Sequence, residues 1–203
     1  MKEKDLKTFT EVAASKDPVP GGGGVSGYVA SLAAALAEMV TNLTIGKAKY
    51  IMYTSELEAI KREADILRNN LLDCVDKDAE AFLPLAEAYK LDKNSEGYTE
   101  KMDECLKNAT IPPLYILKYS CRIVDLDERL AQIGSKISVS DAGTSVMLAH
   151  GAMYGAFLNI KVNTRLMADK EYAQNLEDEA LKLLDEYSVK ALNVYDDVCK
   201  RLS

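Results

Sequence analysis

The sequence predicts an all-α fold, a single-domain bundle of long helices around a buried Ala/Gly-rich central helix. Three observations predict it. Apolar residues return at helical spacing in each long segment, while no stretch alternates convincingly as a strand. The segment from Val25 to about Gly46 carries small residues on nearly every face, which requires several neighbouring helices at close range. Breaker residues cut the chain into helix-length pieces, with no domain linker, internal repeat or low-complexity tract. At 203 residues and 48% hydrophobic content the chain suits one domain, 1–203, with ample material for a core.

From the N-terminus, Leu6, Phe9, Val12 and Ala13 are spaced for a short amphipathic helix stopped by Asp17-Pro18. The central helix follows a run of four glycines, Gly21 to Gly24. Its period passes through Val25, Val29, Leu32, Leu36, Met39, Val40 and Leu43, with Ala30, Ser31, Ala33, Ala34, Ala35 and Ala37 on the remaining faces. A second long helix from about Thr54 shows Leu57, Ile60, Ala64, Leu67, Leu71, Val75 and Phe82, and Pro84 should kink or break it near Leu83. A polar connector at 92–97 leads to a short helix broken at Pro112-Pro113. The next helix carries Leu114, Leu117, Cys121, Val124 and Ala131 and ends near Gly134. Ser140 or Asp141 caps a helix that runs to about Leu166 through Ser145, Leu148, Ala152, Ala156, Asn159 and Asn163. The last helix spans about Lys170 to Arg201.

Net charge narrows the partners. At −7, with no basic run to offset the acid, the chain is not expected to bind nucleic acid. Met1-Lys2-Glu3-Lys4-Asp5 has neither an apolar core nor a small-residue cleavage pattern, so no signal peptide is expected. Two stretches lack ionised side chains. Residues 18–37 leave about 13 helical positions, too few to cross a bilayer, and 142–160 is interrupted by polar residues, so no membrane span is expected either. Cys74, Cys105, Cys121 and Cys199 are scattered and His150 is the sole histidine. That pattern suits a reduced cytoplasmic protein and offers no metal site. His150 itself reads as a satisfied buried or interfacial histidine more readily than a functional one.

Three features stand out of place. Four successive glycines are costly to order, and are tolerable where backbone must approach something closely. Behind Pro20, with Ser26 as a candidate cap, they present free N–H groups and a positive dipole end to a carboxylate or phosphate, unless they are only a flexible connector. Neither a Walker loop nor a dinucleotide fingerprint fits, since no Gly-Lys-Ser/Thr follows and no strand precedes. Second, Leu71, Val75, Asp78 and Phe82 are spaced by four, three and four, which sets Asp78 on the apolar stripe. Asp76 lies about 140° round the helix from Leu71 and should face solvent. A core-facing carboxylate is either paired and structural or an acid/base group with a raised pKa. Third, Asn159 and Asn163 extend an apolar stripe at i, i+4, as helix cross-links or as ligand-orienting amides.

The run Pro20-Gly21-Gly22-Gly23-Gly24-Val25-Ser26, the Leu-Ala-Ala-Ala-Leu at 32–36 and the stretch Met39 to Tyr50 resemble the cyclodeaminase/cyclohydrolase family. Asp78-Ala79-Glu80-Ala81-Phe82, Ser140-Asp141-Ala142-Gly143 and the segment Gly155 to Asn163 continue the resemblance over nearly the whole chain. It implies a helical subunit that forms a homodimer, with a tetrahydrofolate site near the glycines and the subunit interface and no metal or cofactor. It also implies that Asp78 is catalytic. Gly21, Gly22, Gly23, Gly24, Ser26, Lys47, Lys49, Tyr50, Asp141, Asn159 and Asn163 become the substrate-binding candidates, the lysines for a polyglutamate tail. The chain departs from the family pattern at Ala30 and Ala33, where glycine is common, at Lys47-Ala48-Lys49-Tyr50, where a third lysine is usual, and at Leu91-Asp92. The expected activity is formiminotetrahydrofolate cyclodeaminase, with methenyltetrahydrofolate cyclohydrolase and a non-catalytic folate- or anion-binding dimer as alternatives.

Overall fold

The computed structural model describes residues 1–202. Six helices run in order: α1 (Leu6–Ala13), α2 (Gly22–Asn42), α3 (Thr54–Ala88), α4 (Tyr98–Ile133), α5 (Val139–Thr164) and α6 (Lys170–Leu202), with a short 3-10 turn at Ala48–Tyr53 before α3. No strand occurs among the described residues, as the absence of alternation predicts. Helix α2 packs on α3, α4 and α5, while α4 also packs on α3, α5 and α6.

The core of α2 is its small face. Ala30, Ala33, Ala34 and Ala37 are fully buried, and α5 lies antiparallel against them, with the Ser145 hydroxyl donating to the Ala33 carbonyl at 2.8 Å. The larger residues that the periodicity assigns to the core point outward instead: Val25, Leu32, Met39 and Leu43 are exposed. Both faces of α2 are apolar, and the one that admits closer helix approach is inside. At 21 residues α2 is long and apolar enough to cross a membrane by length and composition, and its alanine face is packed inside the bundle. The helix starts at Gly22, within the glycines, rather than at Val25, and runs through Glu38 beyond the charge-free stretch to Asn42 rather than to about Gly46.

Three expected boundaries shift. Gly21 is the N-cap of α2, and Ser26 is not a cap; its hydroxyl donates back to the Gly22 carbonyl at 2.7 Å. Likewise α5 opens at Val139 after Ser138, which leaves Ser140 and Asp141 in its first turn. A carboxylate there is favoured by the helix dipole. Finally, α3 is continuous through Pro84 and α4 through Pro112-Pro113. Pro113 cannot donate to the Ala109 carbonyl, and the Asn163 side-chain amide donates to it in its place at 3.2 Å. Fully buried Ile116 and Leu117, one turn on, anchor the helix beyond the interruption.

A buried acid lies in this packing. Asp127 of α4 is fully buried, and the Ser145 hydroxyl oxygen sits 2.6 Å from its Oδ2 while donating to Ala33. Serine has one hydroxyl hydrogen, so with both contacts made the second hydrogen comes from the carboxyl. Asp127 is therefore the neutral acid, in agreement with burial that drives its pKa well above the usual carboxylate range.

Candidate active site

Helix α3 places Asp78 across from the first turn of α2. Leu71 and Val75 on the same stripe are buried, so the carboxylate is drawn to the inner side of the helix. It rests on glycine backbone: a Cβ built on Gly23 would lie 2.2 Å from Asp78 Oδ1, where no side-chain carbon fits. No ion pair reaches Asp78 among the described residues, whereas Asp76 pairs with the amino group of Met1 and accepts from the Lys2 amide. Burial pushes the Asp78 carboxyl up to about 6, and the Gly24 amide offsets only part of that. A lone carboxyl poised there titrates near neutrality, as acid/base work at physiological pH requires.

The carboxyl opens onto a cleft of about 280 Å³ walled by Gly21, Gly22, Gly23, Phe82, Asn159 and Asn163, with Ala109 and Pro113 behind. The first-turn N–H groups of α2 have no helical partner and border this cleft. Opposite them, Asn159 donates its amide nitrogen to the Gly155 carbonyl at 2.8 Å, and Asn163 donates to Ala109 and to the Asn159 carbonyl at 3.0 Å. Carbonyls only accept, so the amide orientations are fixed and both side-chain oxygens are left for a ligand. One wall of the cleft thus offers acceptors, the other N–H donors. No lysine or arginine lines it.

Gly23→Ala tests the close approach directly. Its Cβ must displace the Asp78 carboxyl, and we expect catalytic efficiency to fall about 10-fold or more, with a stability loss of about 1–3 kcal/mol. Steady-state kinetics together with thermal melting read both.

The candidates named from sequence do not all converge. Gly21, Gly22, Gly23, Asp78, Asn159 and Asn163 meet in the cleft. Gly24 packs on Pro20 while its amide donates to Asp78, and Ser26 is turned into the contact between α2 and α5, where a Cβ on Gly155 would come within 2.2 Å of its oxygen. Lys47, Lys49, Tyr50 and Asp141 stand at the opposite end of the bundle. Tyr50 accepts from the Lys136 amide at 3.3 Å, and the 21 residues of α2 hold this end about 30 Å from Gly22. His150 lies edge-on to Tyr154, ring centroids 5.1 Å apart, away from Asp78. A larger cavity of about 650 Å³ opens between α3 and α4, lined by Lys77, Tyr115 and Tyr119. Its one acid, Glu80, is exposed, so the chemistry points to the smaller cleft. No group of three His, Cys, Asp or Glu side chains among the described residues could hold a metal ion. Sequence reasoning missed Asp127, although Val124, Asp127 and Ala131 show the same three-and-four spacing that exposes Asp78.

Comparison with known proteins bears on all of this. The formiminotransferase-cyclodeaminase family model matches residues 5–182. A methenyltetrahydrofolate cyclohydrolase of Methylorubrum extorquens is 34% identical over 202 residues, covering 98% of this chain and 97% of the relative. A formimidoyltransferase-cyclodeaminase of Rattus norvegicus is 27% identical over 193 residues, 93% of this chain but 36% of the relative, so the chain spans little more than a third of that protein. In structure it is similar to formiminotetrahydrofolate cyclodeaminase from Thermotoga maritima, with a TM-score of 0.84, 31% identity, and coverage of 99% of this chain and 96% of that one.

Proposed function

The chain belongs to the formiminotransferase-cyclodeaminase family, and on that premise we propose that it is a folate one-carbon enzyme that makes and breaks C–N bonds at the N5/N10 bridge. The leading activity is formiminotetrahydrofolate cyclodeaminase, which closes 5-formiminotetrahydrofolate to 5,10-methenyltetrahydrofolate with loss of ammonia. The second is methenyltetrahydrofolate cyclohydrolase, favoured by the name of the 34% identical relative that matches end to end.

One observation carries the reading: a half-buried carboxyl held on glycine backbone with no ion-pair partner among the described residues, its pKa raised to about 6. In the deaminating direction N10 attacks the formimino carbon, a tetrahedral centre forms, and the nitrogen that leaves must gain protons. In the hydrolytic direction water adds to the cationic methenyl carbon and must lose one. Asp78 can give or take that proton and, when ionised, lies beside a carbon that bears positive charge. The Asn159 and Asn163 oxygens suit a substrate face rich in N–H groups and cationic character, while the Gly22 and Gly23 amides suit a carbonyl or carboxylate. Both reactions shift C–N bonds without transfer of electrons, so we assign no redox cofactor. The buried thiols of Cys74, Cys105 and Cys121 suit a reducing compartment, and we place the enzyme in the cytoplasm.

The two activities separate in one cuvette. Enzyme-dependent growth of the methenyltetrahydrofolate absorbance from the formimino substrate, with ammonia released, establishes the cyclodeaminase. Accelerated loss of that absorbance from methenyltetrahydrofolate alone establishes the cyclohydrolase. Rates equal to the uncatalysed ones in both assays would overturn the proposal.

A further inference from the structure

The cavity of about 650 Å³ between α3 and α4 has no part in the folate chemistry proposed above. The two helices run antiparallel, as the pairs Arg122–Glu63 and Arg129–Glu56 require. One stripe of each faces the cavity. On α3 it passes through Asn70, Cys74, Lys77, Ala81 and Pro84, spaced by four, three, four and three. On α4 it passes through Cys105, Asn108, Pro112, Tyr115 and Tyr119, spaced by three, four, three and four. The residues of these helices that wall the Asp78 cleft, Asp78 and Phe82 on α3 with Ala109 and Pro113 on α4, each stand one position further along. One position is about 100° round a helix, and on antiparallel neighbours the two turns lead to the same side. Cavity and cleft therefore lie on opposite sides of the α3–α4 seam, and neither extends the other.

Two prolines give the cavity backbone acceptors. Pro84 has no N–H to offer the Glu80 carbonyl, and Pro112 has none for the Asn108 carbonyl. Asn163 mends the third such gap, at Ala109, but no side chain among the described residues donates to the Glu80 or Asn108 carbonyl. Both of these residues line the cavity, one from each helix. The side chains around them are equally uncommitted. Asn70 and Asn108 make no side-chain hydrogen bond and Lys77 no ion pair among the described residues, and the Lys77 charge is felt at the Cys74 thiol. Tyr115 and Tyr119 stack along the α4 wall, ring centroids 5.7 Å apart and planes 27° from parallel.

These groups specify a ligand. The tyrosines offer a face to a flat ring, the freed carbonyls accept from amino or ring N–H groups on its edge, and Lys77 suits an anion. The volume of about 650 Å³ falls within the roughly 300–1,000 Å³ of small-molecule sites. We propose that this cavity is a second binding site, separate from the Asp78 cleft, for a flat amino-substituted heteroaromatic ring that carries an anionic group. A purine nucleotide and a folate share that chemistry.

Calorimetric titration of the full chain with guanosine monophosphate and, separately, with folic acid tests the site. Each probe carries an amino-substituted ring with N–H donors and an anion. At least one is expected to bind, and Tyr115→Ala and Lys77→Glu are each expected to weaken it about 10-fold. Both positions are exposed, so both variants should keep the fold, which melting curves check. Asp78→Asn should bind the same probe as tightly as the wild type. Binding of the nucleotide alone identifies a nucleotide as the occupant, and binding of folic acid alone identifies a folate. No heat from either probe at several millimolar would overturn the proposal. So would binding that Tyr115→Ala and Lys77→Glu leave intact, because the probe is then held elsewhere. The folate activity stands or falls on the turnover assays, so the two failures are distinguishable.

Discussion

Replacing Asp78 with asparagine is expected to lower turnover by about 10²–10⁴-fold while the chain keeps its fold. The variant should even be more stable at neutral pH. An ordinary unfolded aspartate titrates near about 3.9, whereas burial lifts Asp78 to about 6 in the folded protein. A folded value above the unfolded one means that the neutral acid suits the fold better than the anion. The associated stability is complete below about pH 4 and is lost as pH rises through about 6. Asparagine never ionises, so it escapes that loss. With allowance for the partly open cleft, the gain above pH 7 is about 1–3 kcal/mol. Melting curves of the two proteins should diverge as pH climbs from 4 to 7. The same titration should appear in kinetics, as a limb in the pH profile of kcat/KM near pH 6 that the asparagine variant lacks. A limb near pH 4 would mean that the cleft is wetter than its geometry indicates, and near-normal turnover of the variant would remove Asp78 from the mechanism.

The second large effect is on stability, at Asp127. Asp127→Ala empties a fully buried site between α4 and α5 and removes the hydrogen bond to Ser145, a loss of about 2–4 kcal/mol. Asp127→Asn should behave oppositely. Its amide can donate to the Ser145 oxygen as the neutral acid does, so stability near pH 6 should stay within about 1 kcal/mol of wild type. The raised folded pKa gives the sign of the pH effect: wild-type stability from this group is present at acid pH and declines as pH rises through the folded value. The asparagine variant should therefore resist alkaline denaturation better than the wild type. If it were instead as damaged as the alanine variant across the whole range, the carboxyl would have to be ionised and held by contacts other than Ser145.

These two acids mark how far the sequence could be read. Asp78 is legible because α3 has a single apolar stripe, and an acid on it stands out. Asp127 obeys the same spacing, but α4 touches α3, α5 and α6 and is buried on several sides, with Leu126 and Leu130 as well as Val124 and Ala131 in the core. No single stripe then exists against which an acid looks misplaced. The expected break at Pro112-Pro113 fails for a related reason: the local rule about proline is sound, but its remedy comes from Asn163, 54 residues away from the carbonyl it satisfies. The outward turn of Val25, Leu32 and Met39 was hidden because both faces of α2 are apolar, and periodicity finds the axis of a helix without saying which side is in. Helix type and order were accessible, since each follows from spacing within one or two turns, whereas the convergence of the glycines with Asp78 and Asn159, which stand on three different helices, was implied only by the family resemblance.

Gly21, Gly22, Gly23 and Gly24 are one letter repeated, yet the fold constrains each of them differently. A Cβ on Gly21 would find nothing nearer than the Pro18 carbonyl at 4.0 Å, and serine or asparagine there would add the side-chain cap that α2 lacks. Gly22 and Gly24 leave margins of 3.1 Å and 3.2 Å against Asn159 and Pro20, tight but adjustable. Gly23, at 2.2 Å from the Asp78 oxygen, has none. Substitution to alanine should therefore be tolerated best at Gly21, at a moderate cost at Gly22 and Gly24 on either side, and not at Gly23, so that an apparently uniform tract reduces to a single irreplaceable residue.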